Sequence, residues 1–240
     1  MEMHPWYPND YRSAMSNTFT EAQVDNFLRK PGCSPRFVYG VLTIPTALKY
    51  HIDMDQSIGI SKNMTQATLF GYQLYTVVEG GVPVIAPSSN PRASVEGMLI
   101  FDLDESQRNA IYEFEAGLMD LVSVELEICQ RDSQNIRIRS LRKIESVGTF
   151  VLRGGTDGYF PVESTAWKID NFLQSSFYKQ IERSQSAKSA ASASAESELL
   201  VYNQQPQNTS HDELKSVNAE VPSRTWRSSL DRMLEDLEFP

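Results

Sequence analysis

The chain has 240 residues, a formal net charge of −9 and a pI near 4.9. This acidic balance argues against broad binding to nucleic acids or anionic membranes, because both attract basic proteins. The two cysteines, Cys33 and Cys129, form neither a CxxC pair nor a secreted disulfide framework, and the start of the chain has no basic or apolar signal region. We therefore expect a cytoplasmic protein without a membrane span, with small molecules or proteins as partners.

Residues 1–35 predict an N-terminal extension that contains one short helix. Residues 1–18 show no apolar period and predict an irregular lead. Over residues 20–30 the spacing of Thr20 and Gln23 is that of a capping box, and three apolar side chains share one helical face. The helix ends at Pro31, and it either docks on the core or binds a partner.

Residues 37–42 predict a buried strand that runs into a glycine turn. Thr43 is placed to cap a following helix, and Pro45 suits its first turn. Such a junction points several backbone N–H groups at one spot, which favours an anionic substrate group. A tight strand-to-helix turn without a ligand explains the same residues.

The middle of the chain mixes strands and helices. We predict a helix over 45–54, a loop over 56–66, and a strand over 67–75 that bends or bulges at Gly71. Residues 82–87 are fenced by prolines and predict either an edge strand or an extended segment. Further predictions are a strand over 95–101, a helix over 104–117, a strand over 122–128 with a partner strand at 136–139, another strand at 148–152, a glycine turn at 154–158 and a helix over 167–181.

The last quarter differs in composition from the rest. Residues 183–226 have too few apolar side chains to fold alone and predict a disordered linker. Residues 227–240 carry a short apolar stripe and predict an amphipathic helix that binds a protein partner or folds back on the core. One domain, residues 36–182, is expected between the N-terminal extension and this tail.

The sequence favours a carboxylate side chain as the catalytic group. The three histidines, His4, His51 and His211, are scattered, so we expect no metal cluster and no histidine-based nucleophilic triad. Glu115 follows Phe114 in the last turn of its predicted helix, where both burial and the helix dipole raise a carboxyl pKa. Such a group can exchange protons near neutral pH. A solvated or arginine-paired glutamate at the rim of the core is the alternative.

Five stretches in this order resemble the γ-glutamylcyclotransferase-like superfamily, including the avirulence-induced-gene-like proteins of plants and fungi, and favour a fungal member. Residues 37–42 match its YGxL turn, and residues 67–75 match its A-x-L-x-G-Y-x-L-Y strand. Residues 83–87 with 95–97 match its proline-bounded run and V-x-G strand. Residues 114–117 match its glutamate-glycine element, and residues 167–177 match its closing helix.

This resemblance implies an α+β fold with a small, mostly antiparallel β-barrel flanked by helices and a cofactor-independent enzyme. The implied reaction cyclises a γ-glutamyl amide, such as glutathione, a γ-glutamyl amino acid or a γ-glutamylamine, to 5-oxoproline and releases an amine or peptide. Glu115 would be the proton shuttle. Backbone groups of the substrate-binding residues Tyr39, Gly40, Val41 and Leu42 would hold the substrate carboxylate or the oxyanion.

Several residues depart from the family pattern. Val41 stands where many relatives carry Thr or Ser, Ala116 replaces a glycine, and Tyr112 replaces an aspartate. Met119 and Leu121 stand where a tyrosine and an arginine often follow. These departures leave the substrate open and keep a second hypothesis alongside the enzyme, namely a catalytically inactive relative that serves as a binding or protein-interaction module.

Overall fold

The computed structural model describes residues 3–55, 57–76, 81–115, 117–135 and 138–187. Its helices are α1 (Asn9–Ser16), α2 (Glu21–Leu28), α3 (Pro45–His51), α4 (Glu105–Glu115), α5 (Asp170–Gln174) and α6 (residues 176–187). Its strands are β1 (Arg36–Val38), β2 (Met64–Phe70), β3 (Tyr72–Thr76), β4 (Pro83–Pro87), β5 (Ser94–Ile100), β6 (Met119–Arg131), β7 (Arg139–Leu152) and β8 (Phe160–Pro161). Two short 3-10 helices span Gly40–Thr43 and Ile60–Asn63.

Five of the strands close into a barrel in the order β1-β5-β2-β6-β7. All neighbours in the barrel are antiparallel except β1 and β7, which run parallel where Arg36 lies opposite Gly148. The fold class predicted from the sequence, an α+β protein with a small, mostly antiparallel barrel and flanking helices, is therefore confirmed. None of the helices in the described residues is long and apolar enough to cross a bilayer.

A second sheet, in the order β4-β3-β8, stands beside the barrel. Gly71 joins the two sheets, because its φ of 78° ends β2 and starts β3 in another direction. The predicted bend at this glycine is confirmed, although the two halves of the expected strand belong to different sheets. The proline-fenced stretch is confirmed as an edge strand, since β4 pairs only with β3 in that sheet.

Strand β1 lies very close to β5, which fixes the turn that follows it. A Cβ at Gly97 would come within 2.4 Å of the Val38 carbonyl oxygen and 2.7 Å of the Phe37 ring. Because Gly97 has no side chain, the Phe37 ring can lie against β5 at this position. Phe37 and Leu99 are opposite one another and almost fully buried, so they anchor β1 in the core.

The N-terminal extension is more ordered than the sequence indicated. The prediction of an irregular lead over residues 1–18 is wrong, because α1 places Tyr11, Ala14 and Met15 in the core. Three apolar positions at helical spacing are too few to stand out in a polar segment, and tertiary burial decides the outcome. The capping box of Thr20 at the start of α2 is confirmed by hydrogen bonds in both directions.

The turn after β1 differs from its prediction in two ways. The strand ends at Val38 rather than at residue 42, because Gly40 has a φ of 64° and starts a 3-10 helix. Thr43 does not cap α3: its hydroxyl donates to the Gly40 carbonyl at 2.6 Å, and Ile44 takes the capping position. The placement of Pro45 at the first position of α3 is confirmed.

Three differences concern the C-terminal half. The strands predicted at 136–139 and 148–152 are one long strand, β7, which begins only at Arg139. The closing helix is divided at Ser175 into α5 and α6. Helix α6 continues to residue 187, five residues into the segment predicted as a linker, and Gln185 is buried. The rest of that linker and the predicted helix at 227–240 lie outside the described residues.

Candidate functional site

Glu115 ends helix α4 next to the turn that follows β1. Helix α4 buries Ile111 and Phe114, so the residue after Phe114 lies at the border between the helix and the barrel. Glu115 lines a small cavity together with Tyr39, Gly40 and Val41. The structure thus brings the acidic candidate to three of the four residues of the predicted binding turn, whereas Leu42 is buried in the core and does not line the cavity.

The remaining cavity walls come from residues that sequence reasoning did not select. Strand β4 and the residue before it supply one wall, through Val82, Pro83 and Val84. The end of α4 and the start of β6 supply the other, through Phe114 and Met119. The prolines that fence β4 were visible in the sequence. Nothing in the sequence showed which side of the barrel β4 would cover, because that depends on the change of direction at Gly71.

Burial controls the electrostatics of Glu115. It raises the pKa of this carboxyl group from 4.5 to about 7, with no cationic side chain or hydrogen-bond donor of the described residues opposing the shift. The His51 ring lies 4.1 Å from that of Phe114, which lines the cavity, but burial lowers the pKa of His51 to about 4. His51 is therefore neutral at pH 7 and does not stabilise the carboxylate.

The Tyr39 hydroxyl is fixed and points away from any acid–base role. It donates to the Phe150 carbonyl oxygen at 2.7 Å. Burial, and then the nearby charge of Glu115, raise its pKa well above 10. The phenol therefore remains protonated, and its role in the cavity wall is to hold the turn against the barrel.

Gly40 allows the turn to approach β4 closely. Its φ of 64° is disfavoured for residues with a side chain, and a Cβ would come within 2.8 Å of Cγ of Pro83. The 3-10 helix starts at this glycine, so the N–H groups of Gly40 and Val41 have no partner within that helix. Two residues of this turn with such N–H groups and one carboxyl group with a raised pKa therefore line the same cavity.

The volume of this cavity is about 20 Å³, which is room for about one water molecule. Pockets that enclose small ligands are far larger, about 300 Å³ or more. A γ-glutamyl group therefore requires the walls to move apart or the substrate to bind at the cavity mouth.

A larger groove of about 430 Å³ lies elsewhere, where β2 separates from β6. Its walls include the Phe70 and Tyr72 rings and the exposed ion pair of Lys143 with Glu125 at 2.7 Å. Its two carboxylates, Glu125 and Glu127, are not buried, so among the described residues that line the groove there is no buried acid or base. Among the described residues, no three His, Cys, Asp or Glu side chains come together as a possible metal site.

Comparison with known proteins identifies the family. The model of the family described as gamma-glutamyl cyclotransferase, AIG2-like, matches residues 36–169, more than half of the chain. The chain belongs to this family. The resemblance seen in the sequence is thereby confirmed at the family level, whereas no comparison supports the expected fungal origin. Sequence comparison with curated proteins yields no match.

Solved structures similar to this member of the gamma-glutamyl cyclotransferase family are distant. An Arabidopsis thaliana protein is 16% identical, with 73% of this chain and 95% of that chain covered and a TM-score of 0.37. An uncharacterized Pyrococcus horikoshii protein is 16% identical, with 59% and 94% covered and a TM-score of 0.32. A gamma-glutamyl cyclotransferase is 13% identical, with 76% and 94% covered and a TM-score of 0.35. These low TM-scores add nothing to the family assignment.

Proposed function

We propose that the protein is a γ-glutamylcyclotransferase that converts a γ-glutamyl amide to 5-oxoproline and a free amine or peptide. The observation that carries this proposal is the Glu115 carboxyl group, whose pKa is raised to about 7 in a cavity shared with the turn at Gly40. A carboxyl group with this pKa is about half ionised at neutral pH, so it can both accept and return a proton. Membership of the family supports the proposal.

The reaction needs one proton shuttle and no cofactor. Ionised Glu115 takes a proton from the α-ammonium group, and the freed α-nitrogen attacks the γ-carbonyl carbon. As the lactam C–N bond forms and the bond to the leaving nitrogen breaks, that nitrogen gains a proton from Glu115. The α-nitrogen loses its second proton, and the released amine takes one up. Because both reacting groups belong to one substrate, folding it into the attack geometry supplies much of the rate.

Backbone donors supply the second part of the proposed site. The N–H groups of Gly40 and Val41 would bind the substrate carboxylate or the oxyanion that forms on the γ-carbonyl. Tyr39 and Leu42 would act indirectly, Tyr39 by holding the turn and Leu42 by anchoring it in the core. Cys33 and Cys129 are free thiols, which supports the cytoplasm as the compartment.

The test is mass-spectrometric detection of 5-oxoproline from a panel of γ-glutamyl compounds. We expect turnover by the wild type and at least a hundredfold loss in Glu115→Gln, in line with the removal of a general base. Glu113→Gln is the matched control, because Glu113 lies two residues earlier on the exposed side of the same helix. Equal turnover by wild type and Glu115→Gln would remove Glu115 from the mechanism.

A catalytically inactive relative is the second candidate function. The cavity volume of about 20 Å³ favours it, because a pocket without substrate room suits a binding scaffold. In that case the segment 188–240 would be the part that recruits a protein partner. A pull-down that compares the whole chain with one lacking residues 188–240, alongside Glu115→Gln, separates the two functions. Loss of partner binding on truncation, with no turnover of the γ-glutamyl panel, would favour the scaffold.

A further inference from the structure

Exposed apolar side chains adjoin the Glu115 cavity. Tyr112, Leu118 and Leu121 are 49%, 41% and 41% exposed, and we call these three residues the apolar shelf. All three lie within six residues of Glu115 in the chain. Contiguous exposed apolar groups next to a cavity are typical of ligand-binding surfaces.

Phe150 links the apolar shelf to the cavity wall, because the Tyr39 hydroxyl donates to its carbonyl oxygen. Tyr112 lies one turn before Glu115 on α4 and therefore on the same side of the helix. Its ring centroid is 6.1 Å from that of Phe150, and Leu121 lies opposite Phe150 in the β6–β7 pairing. Met119, which lines the cavity, is two residues before Leu121 and points to the same face of β6. An extended substrate can thus lead from the carboxyl group onto the shelf.

The charges near this surface disfavour an anionic ligand. Among the described residues that line the cavity, Glu115 is the only one with a charged side chain. Arg153 follows the end of β7, its backbone N–H donates to the Leu118 carbonyl oxygen, and its side chain pairs with Asp120 at 2.8 Å. Asp120 alternates with Met119 and Leu121 and so points to the other face of β6. A carboxylate on the shelf would meet apolar groups and the charge of Glu115, while the neighbouring cation of the described residues, Arg153, is already paired with Asp120.

We propose that Tyr112, Leu118 and Leu121 form the leaving-group subsite of the enzyme, and that it selects γ-glutamyl amides of uncharged, apolar amines. This inference rests on the proposed function and specifies its substrate class. The bond between the γ-carbonyl carbon and the amine nitrogen breaks, the bond to the α-nitrogen forms, and the apolar amine leaves with a proton that the α-nitrogen gave up. The apolar part of the amine is removed from water on the shelf.

The experiment compares two substrates of similar shape, γ-glutamyl-isobutylamide and γ-glutamylglycine. The isobutylamide carries a dimethyl-substituted carbon where γ-glutamylglycine carries a carboxylate. We expect kcat/KM for 5-oxoproline formation to be at least about tenfold higher for the isobutylamide, the usual effect of a mismatched group in an apolar subsite. Equal or faster turnover of γ-glutamylglycine would overturn the inference and leave the proposed function intact. Absence of 5-oxoproline from every γ-glutamyl compound would overturn both.

A charge variant of the shelf provides the second readout. Leu121→Arg places a cation where the substrate carboxylate would lie, so we expect the preference for the isobutylamide to fall about tenfold or to reverse. Leu141→Arg is the matched control, because Leu141 is an exposed leucine at the far end of the same strand pair, 74% exposed. If Leu121→Arg leaves the ratio of kcat/KM for the isobutylamide to kcat/KM for γ-glutamylglycine unchanged, the proposed subsite is refuted.

Discussion

Replacement of Glu115 by glutamine tests the chemistry and the energetics of the site together. Glutamine keeps the size of the side chain and cannot ionise. Because burial raises the pKa of Glu115 from 4.5 to about 7, the folded chain keeps its proton over a range in which the unfolded chain has released it. The free energy of unfolding of the wild type therefore falls as the pH rises from about 4.5 to about 7, and the glutamine variant lacks this decrease.

The size of the effect follows from the difference of about 2.5 between the two pKa values, which corresponds to at most about 3.5 kcal/mol at about 1.4 kcal/mol for each pKa unit. Part of the Glu115 side chain faces water, which reduces this penalty. We therefore expect Glu115→Gln to be about 1–2 kcal/mol more stable than the wild type at pH 8.5, with a difference that shrinks towards zero at pH 4.5. Stability increases while turnover is lost.

Urea denaturation of both proteins at pH 5 and pH 8.5 measures the stability difference, and the Glu113→Gln variant corrects for the change in net charge. The pH profile of kcat/KM for the wild type should show an acidic limb near pH 7, because the shuttle must be ionised to take the first proton. Two results together would show that Glu115 is an ordinary solvated carboxylate: a glutamine variant no more stable than the wild type at pH 8.5, and a wild-type kcat/KM profile with its acidic limb near pH 4.5.

Two further substitutions test the turn. Gly40→Ala should destabilise the protein by about 1–3 kcal/mol and abolish turnover, since it combines an unfavourable φ with a clash against Pro83; Gly32→Ala, with a φ of 71° and open space, isolates the backbone cost. Tyr39→Phe should cost about 1–3 kcal/mol because the buried Phe150 carbonyl loses its donor. Urea unfolding measures both. An effect of Gly40→Ala no larger than that of Gly32→Ala, or a Tyr39→Phe cost below about 0.5 kcal/mol, would contradict these assignments.

Local signals in the sequence predicted many of the elements but not their spatial arrangement. Period-two alternation located β6, the Thr20 capping box located α2, and glycine located the bend at Gly71. These features depend on residues within a few positions of each other. The turn after β1 was predicted less well, because the left-handed φ of Gly40 and the hydroxyl bond of Thr43 both favour a 3-10 helix over a longer strand.

The candidate site was predictable in part for the same reason. Glu115 stood out because it follows the apolar face of its own helix, and its raised pKa agrees with that reasoning. The wall formed by Pro83 and Val84 was not predictable, since it depends on a second sheet that exists only after the chain turns at Gly71. The small volume of the cavity depends on packing between distant segments, which no sequence spacing encodes.

The division of the strands into two sheets gives the cavity one wall on each. Pro83 and Val84 belong to the second sheet, and Met119 belongs to the barrel, so the boundary between the sheets passes through the site. Among the described strands, none of the second sheet is paired with a strand of the barrel. The Tyr39 hydroxyl, which donates to the Phe150 carbonyl at 2.7 Å, ties the turn to the barrel side of this boundary. Room for a substrate therefore depends on how far the second sheet lies from the barrel.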